Sequence, residues 1–393
     1  MSTLHTQRTH LVKWLVDAAY PLWSDRGIDP RNGGFAEVLS QEGVALAHPR
    51  RARVHPRQIY AFAQARTLGW PGDVTGIVGR GMDYFTTYYR RRDGLFRAMT
   101  NADGAPLDER ALLYDQAFAL LGYAAAATAL DARGEFEARA LVLRQIIAAR
   151  FAADDGSYFS EEHSSDHRES NPHMHLLEAY LAWAEIGQDA GWAAGVRSMV
   201  DLALSHFIRK DGGAFGESYL ANWHPTPGIA GRIVEPGHQF EWAWLLLRCE
   251  RWHTRPLRDT ALRLIAIGEE FGVHNGVAVN ALEGDFSVKD ANARLWPQTE
   301  RLKAALLAAA LTDDPRYWSM AEAAALSWVP YLGTSVPGLW LDVRLPNGDF
   351  VDAPAPASTF YHLVGGIVAL NQALPESMSQ TVFTPRAPDD QVR

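Results

Sequence analysis

A single cysteine, Cys249, is all the thiol that this chain of 393 residues contains. No internal disulfide is possible, so a stapled secreted scaffold is disfavoured, and so is a thiolate metal site. Cys249 falls in the apolar run around Trp244 and Leu247, where a buried inert thiol is expected. No stretch of about 18 apolar residues occurs, so no membrane span is expected. The segment from Met1 to Tyr20 carries His5, Arg8, His10 and Lys13 and lacks the unbroken apolar stretch of a signal peptide. A soluble, cytoplasmic protein is the expectation. Long blocks of one charge are missing too: the net charge of −9 is spread along the chain, and the longest basic clusters are Arg50, Arg51 and Arg53, then Arg90, Arg91 and Arg92. Such clusters are too short for a nucleic-acid surface, and the overall field repels phosphate, so nucleic acid is not an expected partner.

What the chain has in quantity is apolar material, 47% of its residues, and 13 tryptophans. The first suffices for a large core. The second has two readings that composition alone leaves open: core filler in a helical protein, or indole faces lining a sugar pocket.

One local signal recurs along the chain. It is Asp/Asn-Gly followed closely by an aromatic or apolar residue: Asn32-Gly33-Gly34-Phe35, Asp93-Gly94-Leu95-Phe96, Asp155-Gly156-Ser157-Tyr158, Asp211-Gly212-Gly213-Ala214-Phe215, Asn275-Gly276-Val277 and Asn347-Gly348-Asp349-Phe350. These dipeptides favour tight turns in small hairpins. The intervals between Gly34, Gly94, Gly156, Gly212, Gly276 and Gly348 are 60, 62, 56, 64 and 72 residues, which indicates stacked copies of one supersecondary unit. Each interval holds two segments with apolar positions three and four apart. The segments run roughly over 6–24, 55–69, 73–90, 108–131, 134–150, 171–186, 189–207, 236–252, 255–271, 294–311, 314–330 and 357–372. Pro56, Pro256 and Asp314-Pro315 supply helix-opening chemistry. Twelve helices in six hairpins, with short β-hairpins at one end, predict an all-α fold, an (α/α)6 barrel occupying residues 1–374 as a single domain. The polar, proline-bearing stretch 375–393 is expected to be a loosely ordered tail.

The even-numbered segments, expected to form the inner ring, open with unusual polar residues. Arg57 lies one turn into the second, among Ile59, Tyr60 and Phe62, where a buried guanidinium needs an anionic or polyhydroxyl partner. Asp115 opens the fourth, and Asn171, His173, His175 and Glu178 the sixth. The eighth has His238 and Glu241, the tenth Trp296 and Glu300, and the twelfth His362 ahead of Gly365-Gly366. Convergence of these groups at one mouth of the barrel would make a pocket of histidines, an arginine, carboxylates and tryptophan. His238 with Glu241, and His175 with Glu178, stand at i and i+3, so each carboxylate is placed to fix its imidazole as a general acid or base. Both pairs could equally be surface salt links. His173 and His175, two apart, point about 200° away from each other on a helix and cannot chelate one metal together. Trp296 and Glu300 offer a stacking face and a hydroxyl acceptor, although Glu300 could simply pair with Arg57. The glycine pair after His362 is expected to let neighbouring helices approach closely.

The strings Asn171-Pro172-His173-Met174-His175-Leu176-Leu177-Glu178-Ala179, Pro236-Gly237-His238-Gln239-Phe240-Glu241-Trp242 and Arg294-Leu295-Trp296-Pro297-Gln298-Thr299-Glu300 resemble the N-acylglucosamine 2-epimerase superfamily. That group includes mannose isomerases, cellobiose 2-epimerases and a sulfoquinovose-handling aldose–ketose isomerase. The resemblance runs from about residue 10 to 372. It implies an (α/α)6 barrel that needs no metal or cofactor. It matches His238 and His362 to the paired acid/base histidines, and His175 to a third histidine linked to ring opening or proton handling. Arg57 matches the arginine at the substrate oxygens near C1 and C2, and Glu241 the carboxylate supporting the histidine. Trp296 and Glu300 fall on a pocket-lining stretch, and Asn171 and Asp115 are counted with the expected sugar contacts.

Cellobiose epimerases carry adjacent tryptophans where this chain has only Leu295-Trp296-Pro297, and the Asn-Pro-His-Met-His form is most similar to the mannose isomerase branch. The expected reaction is therefore D-mannose to D-fructose, with D-lyxose to D-xylulose as a further pair, by a monomer or homodimer acting on free monosaccharides. A sugar 2-epimerase is the alternative. A glycoside hydrolase or lyase drawing on Asp115, Glu241 and Glu300 is the rival enzyme class, and a sugar- or protein-binding module the non-enzymatic one.

Overall fold

The computed structural model describes residues 2–162, 167–210 and 212–374. The expected tail 375–393, and Asp211 of the fourth turn, lie outside the described residues. Helix α1 (Ser2–Trp14) continues through a π turn at Leu15–Ala19 into α2 (Tyr20–Arg26), so the two make one rod. There follow α3 (Val54–Ala65), α4 (Val74–Tyr89), α5 (Leu113–Ala129), α6 (Arg133–Phe151), α7 (Ser170–Ile186) and α8 (Gly191–Leu202). The series ends with α9 (Pro236–Cys249), α10 (Arg258–Gly272), α11 (Leu295–Thr312), α12 (Pro315–Ser327) and α13 (Ala357–Ala373). All twelve expected helical segments are present. The fourth begins at Leu113 rather than 108, because Pro106–Asp108 forms a strand against Met99–Thr100.

Six of the helices close a ring in the order α3, α5, α7, α9, α11, α13 and back to α3, and the others pack outside it. Sequence dictates which are inner. Helix α5 is apolar nearly all the way round, as a helix with neighbours on every side must be, and it buries almost every residue from Leu113 to Ala129. Helix α4 buries only one stripe, including Ile77, Val78, Met82 and Phe85. The inner rods sit close where a side chain is missing. A Cβ on Gly122 of α5 would lie 2.6 Å from Pro56 of α3. Gly122→Val is accordingly expected to force the two rods apart and cost about 1–3 kcal/mol, measurable as a lower urea midpoint. The Gly365-Gly366 pair is only half what its sequence suggests: a Cβ on Gly366 would meet Trp328 at 2.5 Å, whereas one on Gly365 meets nothing within 4 Å.

The hairpins stand at the end where the inner helices begin. Five of the six turns carry a glycine in the left-handed region at Gly33, Gly94, Gly156, Gly276 and Gly348, and the remaining turn carries two, Gly212 and Gly213. The strand just before three of the inner helices pairs with the following connector: Arg50–Arg51 with Met99–Thr100, His167–Glu169 with Ser218–Leu220, and Ala293–Arg294 with Val343–Arg344. Single bridges, Leu112 to Glu161 and Val234 to Leu282, do the same before α5 and α9. Ala355–Pro356 pairs back onto Val38–Leu39, which closes this belt between the last unit and the first.

Side-chain clamps fix five of the six hairpins to their inner helices. The backbone N–H of Phe35 donates to His55 Nε2 (3.3 Å), Phe96 to Gln116 Oε1 (2.8 Å), Tyr158 to His173 Nε2 (3.0 Å), Phe215 to Gln239 Oε1 (2.8 Å) and Ala278 to Gln298 Oε1 (2.8 Å). His55 and His173 are thus structural. Burial pushes their pKa values down to about 3 and about 4, so both rings are neutral acceptors.

Candidate active site

The clamps set the register of the lumen. Two residues beyond each stand Arg57, Phe118, His175, Glu241 and Glu300, with His362 completing the layer on α13. These six side chains touch in ring order. The Arg57 guanidinium lies 4.2 Å from the Phe118 ring centre, Phe118 and His175 are 4.5 Å apart, and His175 Nδ1 is 4.0 Å from Glu241 Oε1. Ligand-type atoms of Glu241, Glu300 and His362 fall within 4.8 Å of one another. One step nearer the mouth, the Trp296 ring lies between His238 (5.3 Å) and His362 (5.4 Å).

Each of the three histidines is held at Nδ1 by a carboxylate. His175 donates to Glu178 Oε2 (3.0 Å), His238 to Glu217 Oε2 (2.9 Å) and His362 to Glu300 Oε1 (2.8 Å). An acceptor carboxylate fixes the proton on Nδ1 and leaves Nε2 as the working nitrogen. The three Nε2 atoms have no protein partner and are not among the fully buried unpartnered atoms, so they face open space.

The three environments differ in charge. Burial lowers His362 to about 4 despite the hydrogen bond to Glu300, and His175 to about 4 despite Glu178. Burial also disfavours the His238 cation, but Glu217 and Glu235 outweigh it and raise His238 to about 10. Near pH 7 the mouth therefore holds one imidazolium and two neutral imidazoles. Lys303, 3% exposed, bonds Glu300 Oε2 at 2.6 Å and keeps that carboxylate ionised, while its ammonium lies 3.7 Å from the Trp244 ring centre. Three groups have ligand-type atoms within 4.8 Å of one another: His175, Glu178 and Glu241; Glu217, Glu235 and His238; Glu241, Glu300 and His362. The His238 imidazolium and the Lys303 ammonium already answer these carboxylates, so the donor sets suit a proton network better than a metal ion.

A second open space lies elsewhere in the lumen. About 600 Å³ opens at the opposite end of the lumen, lined by Thr67, Thr128, Ile186, Arg248 and Gln372 and floored by Glu178 and Lys303. None of the three histidines lines it.

Residues 33–366 match the model of the family described as N-acylglucosamine 2-epimerase. The chain belongs to the N-acylglucosamine 2-epimerase family. A protein of Rhizobium meliloti (strain 1021) named mannose-6-phosphate isomerase is 44% identical over 380 residues, covering 94% of this chain and 98% of its own. A D-mannose isomerase of Thermobifida fusca is 27% identical over 357 residues, covering 77% and 82%. Among solved structures, a D-mannose isomerase superposes with a TM-score of 0.83 at 21% identity over 92% of this chain and 97% of that one. A cellobiose 2-epimerase from Bacillus thermoamylovorans B4167 gives 0.85 at 17% identity over 94% and 100%; both show the shared fold. The chain is an isomerase-type enzyme of this family, and no helix among its described residues is long and apolar enough to cross a membrane.

Within this family member, several expected partnerships are rearranged. His238 takes its carboxylate from Glu217 and not from Glu241, because His238 lies one residue before the Gln239 clamp, under the connector, while Glu241 lies two after it, in the lumen. Glu300 does not pair with Arg57: it is 0% exposed, and its two oxygens accept from His362 and Lys303. Asp115, 0% exposed, bonds Arg53 Nε at 2.9 Å, so it can act on a ligand only through Arg53. Arg57 donates to Tyr114 Oη at 2.6 Å and keeps a buried, unpartnered Nε. Asn171 is half-buried with an unpartnered Oδ1.

Glu217, Lys303, Tyr114 and Tyr361 were not singled out in the sequence. Tyr361 Oη donates a short hydrogen bond to Glu178 Oε1. Glu217 had a findable signal, since it sits two residues past Phe215 as Glu37 sits two past Phe35, and each carboxylate reaches the chain entering an inner helix, Glu37 at Arg51 and Glu217 at Glu235.

Proposed function

We propose that the enzyme interconverts D-mannose and D-fructose, with D-lyxose and D-xylulose as a second pair, by proton transfer through a cis-enediolate. The observation that carries this is a neutral His362 and a protonated His238 on either side of Trp296, each with Nε2 free. Two like groups whose surroundings push their pKa values apart are an acid and a base. His362 Nε2 removes the proton on C2 and returns it to C1. Arg57, its guanidinium over the Phe118 ring, stabilises the negative oxygen that develops. His238 gives a proton to O1 as the enediolate forms and takes one back from O2 as the ketone forms, and His175 assists opening of the ring.

The name of the Rhizobium meliloti relative favours a second reading, a phosphorylated substrate. The charges around the mouth weigh against it. On the segments leading into the inner helices, Arg51 is bonded to Glu37, Arg53 to Asp115, Arg168 to Asp155 and Arg294 to Glu235. A phosphate would have to displace one of these carboxylates. Turnover of D-mannose and D-mannose 6-phosphate measured side by side, with EDTA present, tests the choice. Fructose from free mannose at a kcat/KM at least about tenfold above that for the phosphate is expected, a gap worth about 1.4 kcal/mol. The reverse order would install the phosphorylated reading, and glucose without fructose would make the protein a 2-epimerase.

A further inference from the structure

Glu241 stands in the lumen layer with both flanking carboxylates already spoken for. Glu178 on α7 has His175 and Tyr361, and Glu300 on α11 has His362 and Lys303. Glu241 itself is 1% exposed, and its Oε1 is fully buried without a hydrogen-bond partner. No Lys or Arg lies within ion-pair distance of it among the described residues. Its one recorded neighbour at that range is His175 Nδ1, at 4.0 Å, whose proton is committed to Glu178. The charged and titratable groups facing it are His238 on its own helix, His175 and Glu178 on α7, Glu300 and Lys303 on α11, and His362 on α13. One ammonium among three carboxyls can hold two as anions. A third anion, buried and next to the other two, would have Lys303 only as a cation shared with Glu300 and Glu178, and His238 only at a distance too long for an ion pair. That is less than burial and the neighbouring carboxylates cost it.

We propose that Glu241 works as an undissociated carboxylic acid, a neutral hydrogen-bond donor facing the sugar, and not as the carboxylate that polarises a catalytic histidine. Its Oε2 has no protein partner and is absent from the fully buried unpartnered atoms, so it borders open space where a substrate oxygen can accept from it. Burial and the charge of Glu300 both favour the protonated form. No proton leaves Glu241 in the cycle; it orients the sugar for His362 and His238. This donor role rests on the isomerase reading, whereas the protonation state does not.

The carboxyl region of the infrared spectrum of the whole protein at pH 7, wild type minus Glu241→Gln, separates the two. Loss of a protonated-carboxyl band is expected; loss of a carboxylate band overturns the proposal whatever the enzyme's substrate proves to be. Glutamine keeps a neutral donor, so kcat/KM of Glu241→Gln on the preferred aldose is expected within about tenfold of wild type, the scale of one neutral hydrogen bond. Glu300→Gln, which removes an ionised partner of His362, is expected to fall about 10²–10⁴-fold. An equally steep fall in both variants would end the donor role. An enzyme that isomerises no aldose would end the functional reading while leaving the infrared result to decide the proton.

Discussion

His362→Asn is expected to lower kcat on D-mannose by about 10²–10⁴-fold with little change in KM. The side-chain amide can still donate to Glu300 Oε1, where Nδ1 now sits at 2.8 Å, so the Glu300–Lys303 pair keeps its partner. What disappears is Nε2, the ring nitrogen without a hydrogen-bond partner among the described residues and the one to which the proposed mechanism assigns the proton on carbon. His238→Asn removes the other member of the acid/base pair. Because both act within one proton-transfer sequence, the double variant is expected to be little slower than the worse single one. In heavy water the wild type is expected to make fructose with less than complete deuterium at C1, since one imidazole both removes and returns the proton. Stopped turnover in His362→Asn with an unchanged melting temperature supports the assignment; wild-type turnover would remove His362 from the chemistry.

The fold was legible because the chain repeats its punctuation. Six Asn/Asp-Gly turns and the apolar periods between them state the number of hairpins, and inner helices declare themselves by being apolar on all sides, as α5 is. The layer Arg57, His175, Glu241, Glu300 and His362 was legible for the same reason: charged groups in otherwise apolar segments. The partnerships inside that layer were harder to read. Spacing at i and i+3 places two residues on one helix face, but it says nothing about a third group arriving from elsewhere. Within α7 nothing intervenes, and His175 does bond Glu178. At the start of α9 a connector passes over the helix end, and Glu217, 21 residues back along the chain, reaches His238 first. Lys303 hid in plain sight as a lone cation in the run Leu302-Lys303-Ala304-Ala305-Leu306, where a surface position is the ordinary assumption. Its burial makes sense only once Glu178, Glu241 and Glu300 are seen to face it from three helices.

That layered charge pattern explains why histidines with the same chemistry occupy opposite protonation states. His362 and His175 lie in the lumen, where burial is the largest influence lowering both; the Arg57 guanidinium opposes a further positive charge on each ring, and the Lys303 ammonium does so at His362. His238 lies one layer out, between Glu217 and Glu235 and away from both cations. The division of labour between acid and base thus follows from which layer a ring occupies, and moving charge between layers is expected to exchange the roles.

Glu217→Gln is the substitution that tests this most sharply. His238 is raised to about 10 in the fold, above its ordinary value of 6.5, chiefly against burial and through Glu217 and Glu235. A raised pKa means that the imidazolium contributes stability in full below about 6.5, and that this contribution is lost as pH climbs through about 10. In the proposed mechanism the same proton is the catalytic acid, so kcat/KM of the wild type is expected to stay level from above the His362 pKa of about 4 and to fall only near pH 10. Glutamine keeps a hydrogen-bond acceptor but removes the nearest charge, which leaves burial, a force in the opposite direction, less opposed. The alkaline limb is expected to drop by about 1–3 pH units, the reach of one opposite charge at this distance, with the acid limb unmoved. At pH 9 that lowers the acid form by about twofold for a one-unit drop and by about a hundredfold for three, and activity returns on lowering the pH, which a misfolded variant would not do. An alkaline limb that stays near 10 without Glu217 would mean that His238 is not the proton donor, and that the neutral and protonated rings around Trp296 are a coincidence of packing.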